Sequence, residues 1–156
     1  ARTARALATF YLRYERRLDA ILEGTADADD EIQRPHIRFN GTTLQENKTG
    51  WPHKQNDACG YFLWIFARLA KAGHLQPTDE ELRMLAKFVR FLTKIRFWED
   101  EDSGHWEEAP KVQASSIGAA LAGIREVKVL VQDSPAVEEL PDQPKLKEVF
   151  ELAEEQ

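Results

Sequence analysis

Cysteine is nearly missing from this sequence: of 156 residues only Cys59 carries a thiol. An internal disulfide is excluded, no metal-ligand spacing forms around it, and neither a metal nor a cofactor is expected. Long apolar runs are missing too. The longest, residues 61–67, is far short of the roughly 20 residues that a membrane helix needs, and no apolar signal core follows the first arginines. Positive charge is in deficit, with 21 Lys and Arg against 27 Asp and Glu and a net charge of -6. General affinity for nucleic acid or an anionic membrane is therefore excluded, and a neutral or cationic partner fits better. A Gly-rich phosphate loop is absent, and Ser115 and Ser116 lack the setting of a nucleophile elbow. These absences leave a soluble protein, and its single free thiol fits the cytoplasm, the expected location, without requiring it. The chain has the length of one domain, and the lack of an initiating Met suggests that it begins inside something longer.

What is present is helical periodicity. Leu7, Tyr11, Tyr14, Leu18 and Ile21 recur at intervals of four and three, the stripe of one amphipathic helix ending near Gly24. The stretch TADADDEIQRP that follows is loop, and His36 to Phe39 suggest a short extended piece. A second helix starts near Asp57, turns Phe62, Ile65 and Leu69 inward, holds Cys59 as a small core residue and stops at Gly73. Thr78 and Glu81 form a capping box that opens a third, with Leu82, Leu85, Val89, Leu92 and Ile95 buried. A fourth runs from about Gln113 to Val131 with Ile117, Leu121 and Ile124 inward. Its Gly118, Ala119, Ala120, Ala122 and Gly123 permit close approach of a neighbouring helix. A last helix is capped by Asp142 with Pro144 in its first turn and ends near Glu155. The class is all-α, with about five helices and no strand set.

Two loops interrupt this pattern, one from Thr25 and one from Phe97, and loops of that length in a helical domain are commonly functional. They hold Trp51, Trp98 and Trp106. In the first, GWPHKQNDACG places an indole, two amides and a carboxylate ahead of a helix N-terminus, a donor and acceptor set suited to sugar hydroxyls. The same pattern also suits a simple N-cap at Asn56 or Asp57. His53 and Lys54 are expected at the surface, and His36 either solvated or packed. In the second loop, DSGHWEE, the turn at Asp102, Ser103 and Gly104 aims Trp106, Glu107 and Glu108. Hydrolysis of a glycosidic bond needs a carboxylic acid and a second carboxylate, standing about 6.5–9.5 Å apart in an inverting enzyme. Adjacent glutamates do not make that pair, but one of them can be the acid if an apolar wall such as Trp106 disfavours its charge. The alternative is that both glutamates serve the dipole of the next helix. Asp100, Asp102 and Gly104 also match part of a calcium loop, without its full ligand sequence.

Together, PHIRFNGTTLQENKTGWPHKQNDACG and DSGHWEEAPKVQASSIGAALAGI resemble the glucoamylase-type catalytic domain of glycoside hydrolase family 15, and the related amino-terminal domains of phosphorylase kinase alpha and beta subunits. The resemblance covers residues 35–127. It implies part of an (α/α)6 toroid acting on an α-glucan or maltooligosaccharide by inversion. Trp51, Gln55, Asn56 and Asp57 would bind sugar, Glu107 would be the general acid, and Trp106 part of its wall. Glu108 is then a helix-opening or supporting residue. Asn56 stands where many family members have arginine, and no segment matches the family's catalytic base; Glu138 and Glu139 are late loop carboxylates with nothing that ties them to that role. The resemblance thus implies either a hydrolase whose remaining toroid supplies the base or a non-catalytic, glucan-binding regulatory domain.

Overall fold

The computed structural model describes residues 1–47, 50–104, 106–107, 109–132, 134–137 and 144–156. Among these, the chain is mostly helical: α1 (Arg2–Arg13), α2 (Arg16–Glu23), α3 (Asn56–Lys71), α4 (Asp79–Lys94), α5 (Ala114–Val131) and α6 (Leu146–Glu155). A two-residue antiparallel hairpin, β1 (Phe39–Asn40) with β2 (Gln45–Glu46), lies between α2 and α3.

The single first helix expected from the apolar stripe is instead two. The break falls at Tyr14, whose φ of -113° and ψ of 23° leave the helical region, although neither proline nor glycine is nearby. Tyr14 Oη accepts a hydrogen bond from Glu46 N at 3.3 Å, so a tertiary contact with the hairpin replaces helix continuity. Tyr11, Leu18 and Ile21 are buried, while Leu7 and Tyr14 are half-buried. Phe39 stacks on Phe10 at 3.9 Å and fixes the hairpin to α1.

The capping box of α4 forms: Glu81 N donates to Thr78 Oγ1 at 3.3 Å, and Thr78 N to Glu81 Oε2 at 2.9 Å. Leu85, Val89 and Leu92 are buried as expected, with Leu82 and Ile95 half-buried. Methionine, phenylalanine and threonine on the remaining faces are buried as well, which makes α4 the central element of the core.

Helices α3 and α5 meet on backbone rather than side chains. A Cβ on Gly60 would lie 2.4 Å from the Ala119 carbonyl carbon, and one on Gly123 would lie 2.5 Å from Gly60 O. This sharpens two expectations. Gly123 and Ala119 allow the close approach, but Gly118 is exposed with nothing near it. The inward face of α5 is rotated toward these small residues, so Ile117 and Leu121 are only half-buried while Ile124 is buried. On α3 the buried face is Cys59, Phe62, Leu63, Phe66 and Ala67; Ile65, expected inward, is exposed beside Tyr61 and Trp64. The last helix begins later than expected, with Lys145 before its first turn and Lys145 N bonded to Glu148 Oε2 at 3.3 Å. Pro144 precedes the helix, and the expected cap Asp142 lies outside the described residues. No helix among the described residues is long and apolar enough to cross a membrane.

Candidate functional site

The first loop is built around Arg34. Its guanidinium is fully buried and grips Asp100 of the second loop in a bidentate pair, 2.7 and 2.8 Å long. Arg34 Nε donates to Ala28 O at 2.7 Å, and Asn56 Nδ2 donates to Asp100 Oδ2 at 2.8 Å. Burial alone raises the Asp100 carboxyl, but the hydrogen bonds and charge of Arg34, with Asn56 and Lys54 behind them, hold it below the ordinary carboxylate range. Lys54 completes the set at 3.3 Å from Asp100 Oδ1 and is largely covered, not at the surface as expected.

Asp102 ties the two loops to α3. Its Oδ2 accepts from Asn56 N at 2.8 Å. The helix therefore receives its N-terminal acceptor from a residue 46 positions away, and neither Asn56 nor Asp57 is the N-cap: α3 starts at Asn56, and the preceding Gln55 makes no side-chain cap. Burial raises the Asp102 carboxyl, and the charges of Asp57 and Asp100 push the same way. Asp102 also pairs main chain to main chain with Lys111, both bonds being 3.1 Å. Ser103 N and Oγ both donate to Lys54 O, at 3.0 and 3.3 Å. The Asp102–Lys111 pair thus closes the base of a tip that Ser103 pins against the first loop. The aspartates a calcium loop would require are committed to Arg34 and to the helix start, so that alternative is not supported by their geometry.

On this tip sits Glu107, one of three described non-glycine residues with positive φ, at 55°. Its N donates to Gly104 O at 3.2 Å, and such a conformation, costing about 1–3 kcal/mol, is retained where the surroundings impose it. Trp51 and Glu107 line one cleft of about 320 Å³ together with Glu31, Pro52, Lys54 and Ser103. That is near the lower end of small-molecule sites, roughly 300–1,000 Å³. Arg38 bridges the two: its guanidinium lies 3.6 Å over the Trp51 ring, and Nη2 is 3.2 Å from Glu107 Oε1.

Of the residues singled out in the sequence, Trp51 and Glu107 are therefore brought together. Gln55, Asn56 and Asp57 are not on the cleft wall given above; all three are buried, and Asn56 belongs to the Arg34–Asp100 network. Trp106 is 74% exposed, so it does not wall Glu107 off from water. Glu107 is paired with arginine rather than set in an apolar pocket. Nor does Glu107 support the dipole of α5, which begins at Ala114 with no acidic residue in its first turn. Glu108, Glu138 and Glu139 lie outside the described residues. His53, expected at the surface, is 3% exposed. The roles of Arg34, which is buried, and Arg38, which is exposed, carry no local signal that separates them from the other charged residues of a polar loop; only the excess of carboxylates in WEDED called for a cation.

The elements define a mostly helical domain with a two-loop cleft, lined by both apolar and charged side chains, at one helix start. No family model matches the chain, and no solved structure matches it. It is similar to the uncharacterized lipoprotein YgeQ of Escherichia coli (strain K12), 30% identical over 84 residues, covering 47% of this chain and 32% of that protein. The chain spans about a third of the length of that curated relative. A lipoprotein relative overturns the cytoplasmic placement inferred from one free thiol and the lack of an apolar leader, because a lipid anchor holds a protein at a membrane without any spanning helix.

Proposed function

We propose that this chain is an α-glucan-active, glucoamylase-like domain, one part of an (α/α)6 toroid, whose two-loop cleft receives the terminal sugar of a glucan. One observation carries the reading: two segments distant in sequence, each resembling a sugar-site loop of that family, place Trp51 and Glu107 on the wall of a single cleft. The indole offers a face for the apolar side of a sugar ring, and Lys54, Ser103 and Glu107 offer donors and acceptors for its hydroxyls. Asn56 belongs to the buried Arg34–Asp100 network and acts through it rather than by direct contact, and Asp57 is buried at the start of α3.

In the hydrolytic form, Glu107 gives its proton to the glycosidic oxygen as the bond to the anomeric carbon breaks. Water attacks that carbon from the opposite face and loses its proton to a second carboxylate, contributed by the remainder of the toroid. Before Glu107 can act as an acid, its ion pair with Arg38 has to open and its carboxylate has to take up a proton. That same pair, on a glutamate 43% exposed, favours the second reading, a regulatory domain that binds glucan without cleaving it. The lipoprotein relative supports a membrane-tethered setting for either form. Calorimetric titration with maltooligosaccharides beside a glucose-release assay distinguishes them. Heat with glucose, the glucose abolished by Glu107→Gln in the complete protein, supports the hydrolase; heat without glucose supports the regulatory domain; neither signal refutes both.

A further inference from the structure

Two imidazoles, from the segments that carry Arg38 and Trp51, lie against each other. His36 and His53 stack with ring centroids 3.6 Å apart and planes 20° from parallel, and both side chains are buried. Ile37 N donates to His53 Nδ1 at 3.3 Å, so that nitrogen presents a lone pair and the neutral ring carries its proton on Nε2. His53 Nε2 has no hydrogen-bond partner among the described residues, and His36 faces the Ile32 carbonyl without a well-formed hydrogen bond. The charged groups facing the stack come from two other elements: Arg17 of α2 and Glu46 of β2, themselves joined through Nε–Oε1 at 2.5 Å and Nη2–Oε2 at 3.0 Å. Tyr14, between α1 and α2, holds Glu46 from its main-chain side. Glu46 Oε1 is 3.7 Å from His36 Nδ1, beyond hydrogen-bonding reach.

The stack sits where it can control the cleft. Ile37 precedes Arg38, the residue that covers Trp51 and pairs with Glu107. His53 lies two residues after Trp51, and its N donates to Glu31 O at 3.2 Å. The Ile37–His53 hydrogen bond therefore ties the segment carrying Arg38 to the segment carrying Trp51, beside the ring stack and the Arg38–Trp51 contact. A proton on Nδ1 would set N–H against N–H and remove that tie. Protonation of both rings would also gather three cations, Arg17, His36 and His53, around the single carboxylate of Glu46, in a buried place where like charges repel strongly.

We propose that the His36–His53 stack is a proton-sensitive clamp that holds Trp51, on the cleft wall, against Arg38 at neutral pH and releases it in mild acid. Its consequence for sugar binding rests on the glucan reading above; the movement of Trp51 does not. In line with this geometry, burial and then the neighbouring His36 push the His53 imidazole down to about 4, and burial lowers His36 as well. An open clamp returns both rings toward the ordinary value of about 6.5, so release falls between those limits.

The test follows the Trp51 indole N–H resonance of the intact protein from neutral pH to about pH 4, with circular dichroism as a check that the helices persist. The expected result is a cooperative shift of Trp51 between about pH 6.5 and pH 4. His53→Asn keeps an acceptor for Ile37 N but cannot be protonated, and the transition is expected to vanish in it. An unchanged transition in that variant, or none in the wild type, overturns the clamp. If the variant does not fold, the imidazole C–H titrations of the wild type decide: two depressed, mutually dependent transitions support the clamp, and two independent ones near 6.5 overturn it. In parallel, maltotetraose affinity is expected to fall about tenfold from neutral pH to mild acid in the wild type and to stay level in His53→Asn. No heat at any pH, with the Trp51 transition intact, refutes the glucan reading and supports the clamp.

Discussion

Replacing Gly60 by alanine sets two effects of opposite sign against each other. On helix propensity alone, alanine stabilises an interior helical position by about 1 kcal/mol relative to glycine. At this site, however, the added Cβ would stand 2.4 Å from Ala119 C, 2.5 Å from Ala119 O and 2.5 Å from Ala120 N. All three are backbone atoms of α5 and cannot rotate away, so α3 and α5 must separate by about 1 Å to reach ordinary contact distances of roughly 3.5–4.0 Å. Overpacking of that kind costs about 1–3 kcal/mol, occasionally more, and separation also loosens Leu63, which abuts Gly123. The upper part of that range is expected because backbone is what must yield, leaving a net loss of about 2 kcal/mol after the propensity gain. With an m-value of about 2 kcal/mol/M, the urea midpoint drops by about 1 M at unchanged slope. Gly118→Ala, on the same pair of helices but with nothing within 4 Å, is the control and should raise the midpoint by a few tenths molar. A Gly60→Ala protein as stable as the wild type would refute the account of the α3–α5 contact.

Arg34→Met strands Asp100 inside the loop network and should destabilise by about 3–5 kcal/mol in thermal unfolding, whereas the double variant Arg34→Met with Asp100→Leu should recover much of the loss. Stability should fall as the pH drops from about 6.5 toward about 4: the folded state holds His53 down to about 4, so the unfolded chain binds the extra protons in that window. Urea midpoints measured at several pH values check this, and midpoints that are flat or rise on acidification would contradict it. Cys59 is buried, with its thiol pushed up to about 12, so a thiol reagent should label it only at the rate of global unfolding. Asp102→Ala removes the acceptor at the start of α3 and should cost about 1 kcal/mol in equilibrium unfolding.

How far the sequence reveals the structure varies with the distance over which each feature is decided. The capping box at Thr78 and Glu81 is local chemistry, and the helix it opens was legible together with its buried leucines. The stop of α3 just ahead of Gly73, whose φ is +73°, was legible for the same reason. The break at Tyr14 was not, because a hydroxyl contact to Glu46 decides it from across the hairpin. Small residues on α5 announced a close helix approach, but only the partner Gly60 shows which of them take part. At the site, Trp51 and Glu107 were singled out by the family resemblance of their two loops, and both line one cleft. Arg34 and His53 could not: an arginine or histidine in a polar loop carries no mark of burial until Asp100 and the ring of His36 are in place, and the exposed Arg38 shows its role only once Trp51 and Glu107 stand beside it. Trp106 shows the reverse error, since a tryptophan beside a glutamate suggested a wall and the structure leaves it largely in solvent.

The central claim is that the two-loop cleft takes a glucan end against Trp51. Titration of the labelled protein with maltotetraose, following the four indole N–H resonances, tests it most directly. The account predicts saturable shifts at Trp51, none at Trp64 on the outer face of α3, and loss of binding in Trp51→Ala. Saturating maltotetraose that leaves Trp51 unmoved, or binding undiminished in Trp51→Ala, would contradict it.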